Sequence, residues 1–269
     1  MPGKRNFCEI SPFTYFLSRE KEIQKRHLQD LFGGVTFARA VQPERLPFRV
    51  NSHRSLIRRR LGNVDMQLQE NKAVNLQLAS AHLGGVLIRP GETFSLWKLV
   101  GRTSARKGYK EGLTISKSQV GKGIGGGLCQ LSNLIHWMVL HSELTIVEHH
   151  HHDSVDQFPD FNRMVPFGTG TSISYNYLDY RFRNDTDYTF QIVVQVDGEY
   201  LCGELYSSRE PRFAYHIHAE GERFVREEDG NIYRCGTVVR ETVDRKTGAL
   251  ADRQVIRTNH ARVLYEMQL

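Results

Sequence analysis

The stretch Gly121-Lys122-Gly123-Ile124-Gly125-Gly126-Gly127-Leu128-Cys129-Gln130-Leu131-Ser132-Asn133-Leu134-Ile135 divides the chain into two textures. Three successive glycines permit backbone angles and close approaches that side chains forbid. Behind them Leu128, Leu131, Leu134, Ile135, Met138 and Val139 share one arc at 100° per residue, which predicts a helix from about Leu128 to Ser142.

Upstream of the loop the pattern is helical. Phe13, Phe16, Leu17, Ile23, Leu28 and Leu31 recur at helical spacing between Ser11 and Leu31, and Gly33-Gly34 closes the run. Helical character continues from Leu56 to about Leu83, ahead of Gly84-Gly85. Val86-Leu87-Ile88, ending at Pro90-Gly91, reads as a short strand, with room for strands around Gly112–Ser118. Downstream, Thr145–Val147, Ser172–Phe182, Thr189–Val196 and Tyr200–Tyr206 are strand-like, with Asp197-Gly198 as a hairpin turn between the last two. Asp229-Gly230 and Lys246-Thr247-Gly248 punctuate two further hairpins, Phe224–Val239 and Val238–Ile256. The expected class is α+β: an N-terminal helical region, a central glycine loop and helix, and a mostly antiparallel sheet in the C-terminal half. The corresponding division is a basic helical region over 1–75, a core over 76–207 and a β-hairpin extension over 208–269.

With 39% hydrophobic and 25% charged residues among 269, the chain has the make-up of a globular protein with a packed core. No signal-peptide pattern and no run of about 18 apolar residues is present, so the expected location is cytoplasmic. Cys8, Cys129, Cys202 and Cys235 lie far apart without CxxC spacing, which suggests neither a disulfide framework nor a cysteine metal site. Charge is uneven: residues 1–75 hold 14 Lys+Arg against 7 Asp+Glu, while the remainder holds 22 against 23. Arg58-Arg59-Arg60 and the group Lys21, Lys25, Arg26 are ordinarily solvated helix faces; as a partner surface they suit an anionic membrane, contacted peripherally, a nucleic acid or an acidic polymer. No aromatic-interleaved basic motif points to sequence-specific nucleic-acid binding.

The chemistry concentrates at Cys129. None of Ser, Thr, Asp or Asn precedes Leu128, so the first helical turn is expected to be uncapped, with backbone amides free for an anion or oxyanion. Cys129, Ser132, Asn133 and His136 share the arc facing away from the core, and a thiol in a first helical turn is a candidate nucleophile. The plainer reading is a small residue beside a tight turn, or a phosphate-binding glycine loop with an incidental cysteine. His136 is a poor base, because seven residues along a helix span about 10 Å. The base is therefore sought in Glu148-His149-His150-His151-His152-Asp153, where alternation puts His150 and His152 on one face and His149 and His151 on the other. Asp153, Asp156 or Asp179 would orient the ring. Two same-face histidines and a carboxylate would equally suit a divalent metal, and exposed loop histidines are the plain alternative; no motif calls for a cofactor. Asp179 and Arg181 fall on one strand face and would hold a substrate, orient a histidine or form a cross-strand salt bridge.

Phe94-Ser95-Leu96-Trp97, Val100-Gly101, Gly108-Tyr109, Gly112, the segment Gly125 to Ser132, Val147-Glu148 with its trailing histidines, and Tyr177-Leu178-Asp179 to Asn184 together resemble the VanW family over about residues 75–207. The chain departs from the family in having His149 after the glutamate, where many members have arginine, and in a histidine run about one residue longer. The resemblance implies a role around peptidoglycan, with a peptidoglycan peptide or precursor as partner, and L,D-transpeptidase-like acyl transfer or hydrolysis as the chemistry. It implies Cys129 as nucleophile, His152 or His150 as base, Asp179 or Asp153 as orienting group, and oxyanion donors from Gly127–Gln130. Gly125, Gly126, Gly127, Gln130, Ser132 and Arg181 then become candidate substrate contacts. The competing expectation is a non-catalytic module for a peptidoglycan precursor, in which loop and helix hold a carboxylate or phosphate.

Overall fold

Ser11 accepts a hydrogen bond from the Thr14 amide at 3.1 Å and Pro12 occupies the first helical position, which together start helix α1, Pro12–Phe32. The computed structural model describes residues 6–59, 65–116, 119–151, 155–157, 159 and 164–266. After α1 come β1 (Phe48–Leu56), α2 (Met66–Ser80), β2 (Gly84–Ile88), β3 (Thr93–Ser95), α3 (Leu96–Val100), β4 (Glu111–Ser116) and β5 (Gln119–Ile124). Helix α4 (Cys129–Leu140) follows the glycine loop, and then β6 (Thr145–Glu148), β7 (Val155–Asp156), β8 (Arg181–Arg183), β9 (Phe190–Asp197) and β10 (Tyr200–Ser207). Three long strands, β11 (Phe213–Arg226), β12 (Ile232–Asp244) and β13 (Leu250–Val263), complete the chain. The class is α+β.

The central sheet has the order β1-β10-β9-β2 with antiparallel neighbours throughout. Helices α2 and α4 pack on it. Gly203 in β10 makes that approach possible, because a Cβ there would stand 2.7 Å from Leu134 and Met138 of α4. Leu76, Ile88, Phe94, Leu131, Ile135 and Phe190 lie in the fully buried core between these layers. A smaller sheet, β3-β8-β6, stacks Phe94 on Phe182 with ring centroids 4.5 Å apart. The last three strands form the meander β11-β12-β13, with β7 added in parallel to β13. Among the described residues no helix is long and apolar enough to cross a membrane.

Three local expectations are corrected. The helical reading of residues 1–75 contains no strand, yet Phe48–Leu56 is the edge of the central sheet, paired to β10 from Phe48↔Ser207 to Leu56↔Tyr200. Its sequence, FRVNSHRSL, is polar because an edge strand needs little apolar surface and carries charge outward. Ser172–Phe182 is not a continuous strand: only Arg181–Phe182 enters β8, and the rest is turn with a lone Ser174–Leu178 bridge. Its aromatic alternation reflects packing on Trp97, whose ring meets Tyr175 edge-on at 5.6 Å and whose Nε1 donates to the Leu178 carbonyl at 2.9 Å. Finally, the polar arc of α4 is not exposed. Ser132 and His136 are as buried as Leu131 and Ile135, because a second layer of chain covers that face.

Candidate functional site around Cys129

The glycines before α4 are explained by contact. A Cβ on Gly126 would stand 2.2 Å from the carbonyl carbon of Gly112, and one on Gly127, at φ +90°, would stand 2.4 Å from Cγ of Lys72. Asn75 of α2 ties the loop down: its Nδ2 donates to the Gly126 carbonyl at 2.9 Å, and its Oδ1 accepts from the Lys110 amide at 2.8 Å. Gly125, with φ +78°, donates to the Lys110 carbonyl at 2.9 Å. The loop is thus packed between α2 and β4 and is not an open cradle.

Cys129 is the first residue of α4, and Leu128 before it supplies no side-chain cap, as the sequence leads one to expect. The amides of Gln130 and Leu131 turn back to the carbonyls of Gly127 and Leu128, at 3.2 and 2.9 Å. The backbone amides of Ile173 and of Cys129 itself lie beside the thiol and favour its ionised form. Burial outweighs both and pushes the thiol above its ordinary value, so the resting group is protonated. Burial thus opposes the thiolate that a first-turn position favours: the residue is half-buried and its sulfur is desolvated.

The layer that covers this face is the segment Gly170–Ile173. Thr171 donates to Asn133 Oδ1 from both its amide, at 2.6 Å, and its hydroxyl, at 2.8 Å, and its hydroxyl also meets Ser132 Oγ. Ser132 therefore serves as an internal strut. Gln130 points the other way and holds β1, donating to Ser55 Oγ at 2.8 Å and the Leu56 carbonyl at 2.9 Å.

The histidine run follows the same path. His149 Nε2 lies 3.2 Å from the Gly170 carbonyl, and the Ser172 amide donates to the His150 carbonyl at 2.6 Å. The next residue of that segment, Ile173, has its backbone amide beside the Cys129 thiol. His136, His149 and His151 form a ladder with centroid separations of 4.1 and 4.0 Å on the α4 side. His136 Nδ1 sits 3.0 Å from the Tyr180 hydroxyl, while no described residue hydrogen-bonds its buried Nε2. Burial first, then His149 and His151, holds His136 well below the usual imidazole range. His150 lies on the opposite face, with Nε2 2.9 Å from Glu148 Oε1; burial and Arg26 lower its pKa. The described alternation of His149 and His151 against His150 is the one expected of an extended run. His152 and Asp153 lie outside the described residues.

Asp179 and Arg181 meet each other and not the thiol's neighbours. Asp179 accepts from Ser95 Oγ at 2.5 Å, Arg181 Nε at 2.7 Å and the amides of Trp97 and Tyr180 at 3.2 and 2.8 Å. Arg181 then clasps Asp30 of α1 in a two-pronged pair at 2.6 and 2.9 Å. Lys98 Nζ reaches Asp30 at 2.9 Å, and Arg26 pairs with Glu148. Burial would raise Asp30, but hydrogen bonds from Arg181 and Lys98 outweigh it and hold the carboxyl below its ordinary value. Asp156, a further candidate for orienting a histidine, is instead paired with Arg234 at 3.3 Å and with the Tyr265 hydroxyl at 3.0 Å. Among the described residues no group of three or more His, Cys, Asp or Glu is arranged to hold a metal ion.

The family model for VanW like protein matches residues 71–206, from α2 through the glycine loop, α4 and the histidine run to β10. The chain belongs to the VanW family. Vancomycin B-type resistance protein VanW of Enterococcus faecalis is 36% identical over 236 residues, covering 88% of this chain and 85% of that protein. Uncharacterized protein YoaR of Bacillus subtilis is 30% identical over 139 residues, 52% of this chain and 44% of that protein. No solved structure matches the chain significantly.

Sequence reasoning missed Lys72 and Asp30, and gave Glu148 no role beyond heading the histidine run. Lys72 is buried, its stem lies against Gly127, and no described carboxylate meets its ammonium; burial, then Arg59 and Arg58, lowers its pKa to about 8. Its only trace in the sequence is a charge on the apolar side of α2, where Leu68, Lys72, Leu76 and Ala79 follow at helical spacing.

Proposed function

We propose that this VanW-family protein is a cysteine-dependent acyltransferase or hydrolase acting on peptidoglycan peptides or their precursors. The observation that carries the reading is the thiol of Cys129 at the start of a helix without a side-chain cap, beside the Ile173 amide, in the segment Gly170–Ile173 to which His149 and His150 are also hydrogen-bonded. A protonated resting thiol calls for a general base at the moment of attack. His151, packed on His149 on the α4 side of the run, is one candidate for that role; His152 and His150, which the family resemblance implies, are the others.

In the proposed step the histidine takes the thiol proton as sulfur attacks the carbonyl that precedes a terminal D-alanine. The amide C–N bond breaks, D-alanine leaves with the proton, and a thioester remains on Cys129. An amine or water then attacks the thioester, and the thiol is restored. Asp179 and Arg181 position the neighbouring backbone in this reading and do not touch the substrate. The test is D-alanine release from a synthetic tetrapeptide stem. Cys129→Ala should abolish it, and single alanine replacements at His150, His151 and His152 should lower it most at the base. Undiminished release by Cys129→Ala would overturn the reading.

Lys72 favours a second reading, a binding module. A buried ammonium without a described carboxylate, behind the loop that opens α4, suits a carboxylate or phosphate partner. In that case Cys129→Ser would retain ligand affinity, and Lys72→Met would lose it.

A further inference from the structure

Helix α1 is docked inside out. Of its 21 residues only Ile23 is buried, and the side facing the domain is held by charge: Arg26 with Glu148, Asp30 with Arg181 and Lys98, and Glu20 with Arg102 at 2.6 Å. Apolar side chains face solvent instead. Phe13 is 67% exposed, Leu28 57% and Leu31 72%, with Leu17 and Phe32 exposed beside them. At 100° per residue these five fall within an arc of about 100°, turned away from Arg26 and Asp30, with Glu20 at its margin. An ordinary surface helix does the reverse, so an exposed apolar stripe of this kind marks a contact surface.

The charges on the stripe decide among partners. Lys21 and Lys25 lie within or beside the outward arc, and Lys25 is 61% exposed at its side chain. Of the helix's carboxylates, Glu20 and Asp30 are drawn back to the domain by Arg102, Arg181 and Lys98, and Glu22 lies on the flank 3.9 Å from Lys25. The outward face is therefore apolar and cationic. A second copy of the same face would set lysine against lysine. An anionic lipid surface accepts both features: the Phe and Leu side chains enter the boundary between headgroups and acyl chains, and the lysines meet headgroup phosphates.

We infer that α1 is a membrane-surface helix that seats the domain on anionic lipid through Phe13, Leu17, Leu28, Leu31 and Phe32, flanked by Lys21 and Lys25. The polar clasp on Asp30, Glu148 and Arg181 couples this helix to the chain that leads into the histidine run. The inference does not rest on the acyltransfer reading. Catalysis on a soluble peptide would be unaffected by the surface variants below.

The test is cosedimentation of the full chain with vesicles of phosphatidylcholine alone and with vesicles containing about one third phosphatidylglycerol, alongside light scattering without lipid. Binding to the anionic vesicles alone is expected. The pair Phe13→Ser and Leu28→Ser, and separately Lys21→Glu and Lys25→Glu, should each weaken it by more than about tenfold. All four sites are exposed, and unchanged circular dichroism would verify that the fold is kept. No sedimentation with anionic vesicles would overturn the inference, as would equal binding to neutral ones. So would a dimer in light scattering that Phe13→Ser and Leu28→Ser convert to monomer, which would assign the stripe to a second copy.

Discussion

Replacing Lys72 by methionine keeps the apolar stem that lies against Gly127 and removes the ammonium. The folded state holds this lysine at about 8, against an ordinary 10.5, because burial and the nearby Arg59 and Arg58 disfavour its charge. That difference corresponds to about 3 kcal/mol of destabilisation wherever both folded and unfolded states are protonated, which is below about pH 8. Between about pH 8 and 10.5 the unfolded chain binds a proton that the folded protein has released, so stability rises with pH across that window. Above it the cost is gone. Lys72→Met should therefore be more stable than the parent near pH 7, by up to about 3 kcal/mol, and the gap should close toward about pH 10.5. Urea unfolding of both proteins at several pH values reads this directly. A variant less stable near pH 7, or a gap that does not change with pH, would refute the account of Lys72 as a buried, uncompensated cation. Inorganic phosphate that narrows the gap near pH 7 would favour the binding-module reading.

Asp30→Asn should destabilise the protein by about 3 kcal/mol, because it leaves Arg181 buried with half its partners, and hydrogen exchange should rise along Pro12–Phe32. The native Asp30 carboxyl is held below its ordinary value, so its contribution is complete above the unfolded pKa of about 3.8 and is lost as pH falls through the lower folded value; α1 amides should lose protection in that acid range. Gly126→Ala puts a methyl 2.2 Å from the Gly112 backbone and should cost about 2 kcal/mol or more, measured as a lowered unfolding midpoint. Iodoacetamide should modify Cys129 with a pH midpoint above that of a solvent-exposed thiol, since burial raises it.

The fold was legible where one principle acted alone. Ser11, Pro12 and Gly33 mark the ends of α1, and Asp197-Gly198, Asp229-Gly230 and Lys246-Thr247-Gly248 mark turns between strands that pair as expected. Legibility failed where tertiary contact overrode local pattern. The polar strand Phe48–Leu56 exists because β10 offers an edge, and neither alternation nor apolar content announces it. Tyr175 to Tyr180 alternates as a strand would, yet its residues serve Trp97 and Glu148 rather than a ladder. At the site, Cys129, the uncapped turn and the close-packed glycines could be read from spacing. The burial that protonates the thiol could not, because it comes from Gly170–Ile173, some 40 residues away in sequence. Asp179 and Arg181 were visible as a pair, but their third member, Asp30, lies on a helix about 150 residues earlier and has no local signal.

The most direct test of the central claim is the intact mass of the protein after incubation with a tetrapeptide stem and a rapid acid quench. The account predicts a mass increase equal to the stem less its terminal D-alanine, mapped by peptide fragmentation to Cys129 and removed by hydroxylamine. An unmodified Cys129 under conditions where D-alanine is released, or the same adduct in Cys129→Ala, would contradict it.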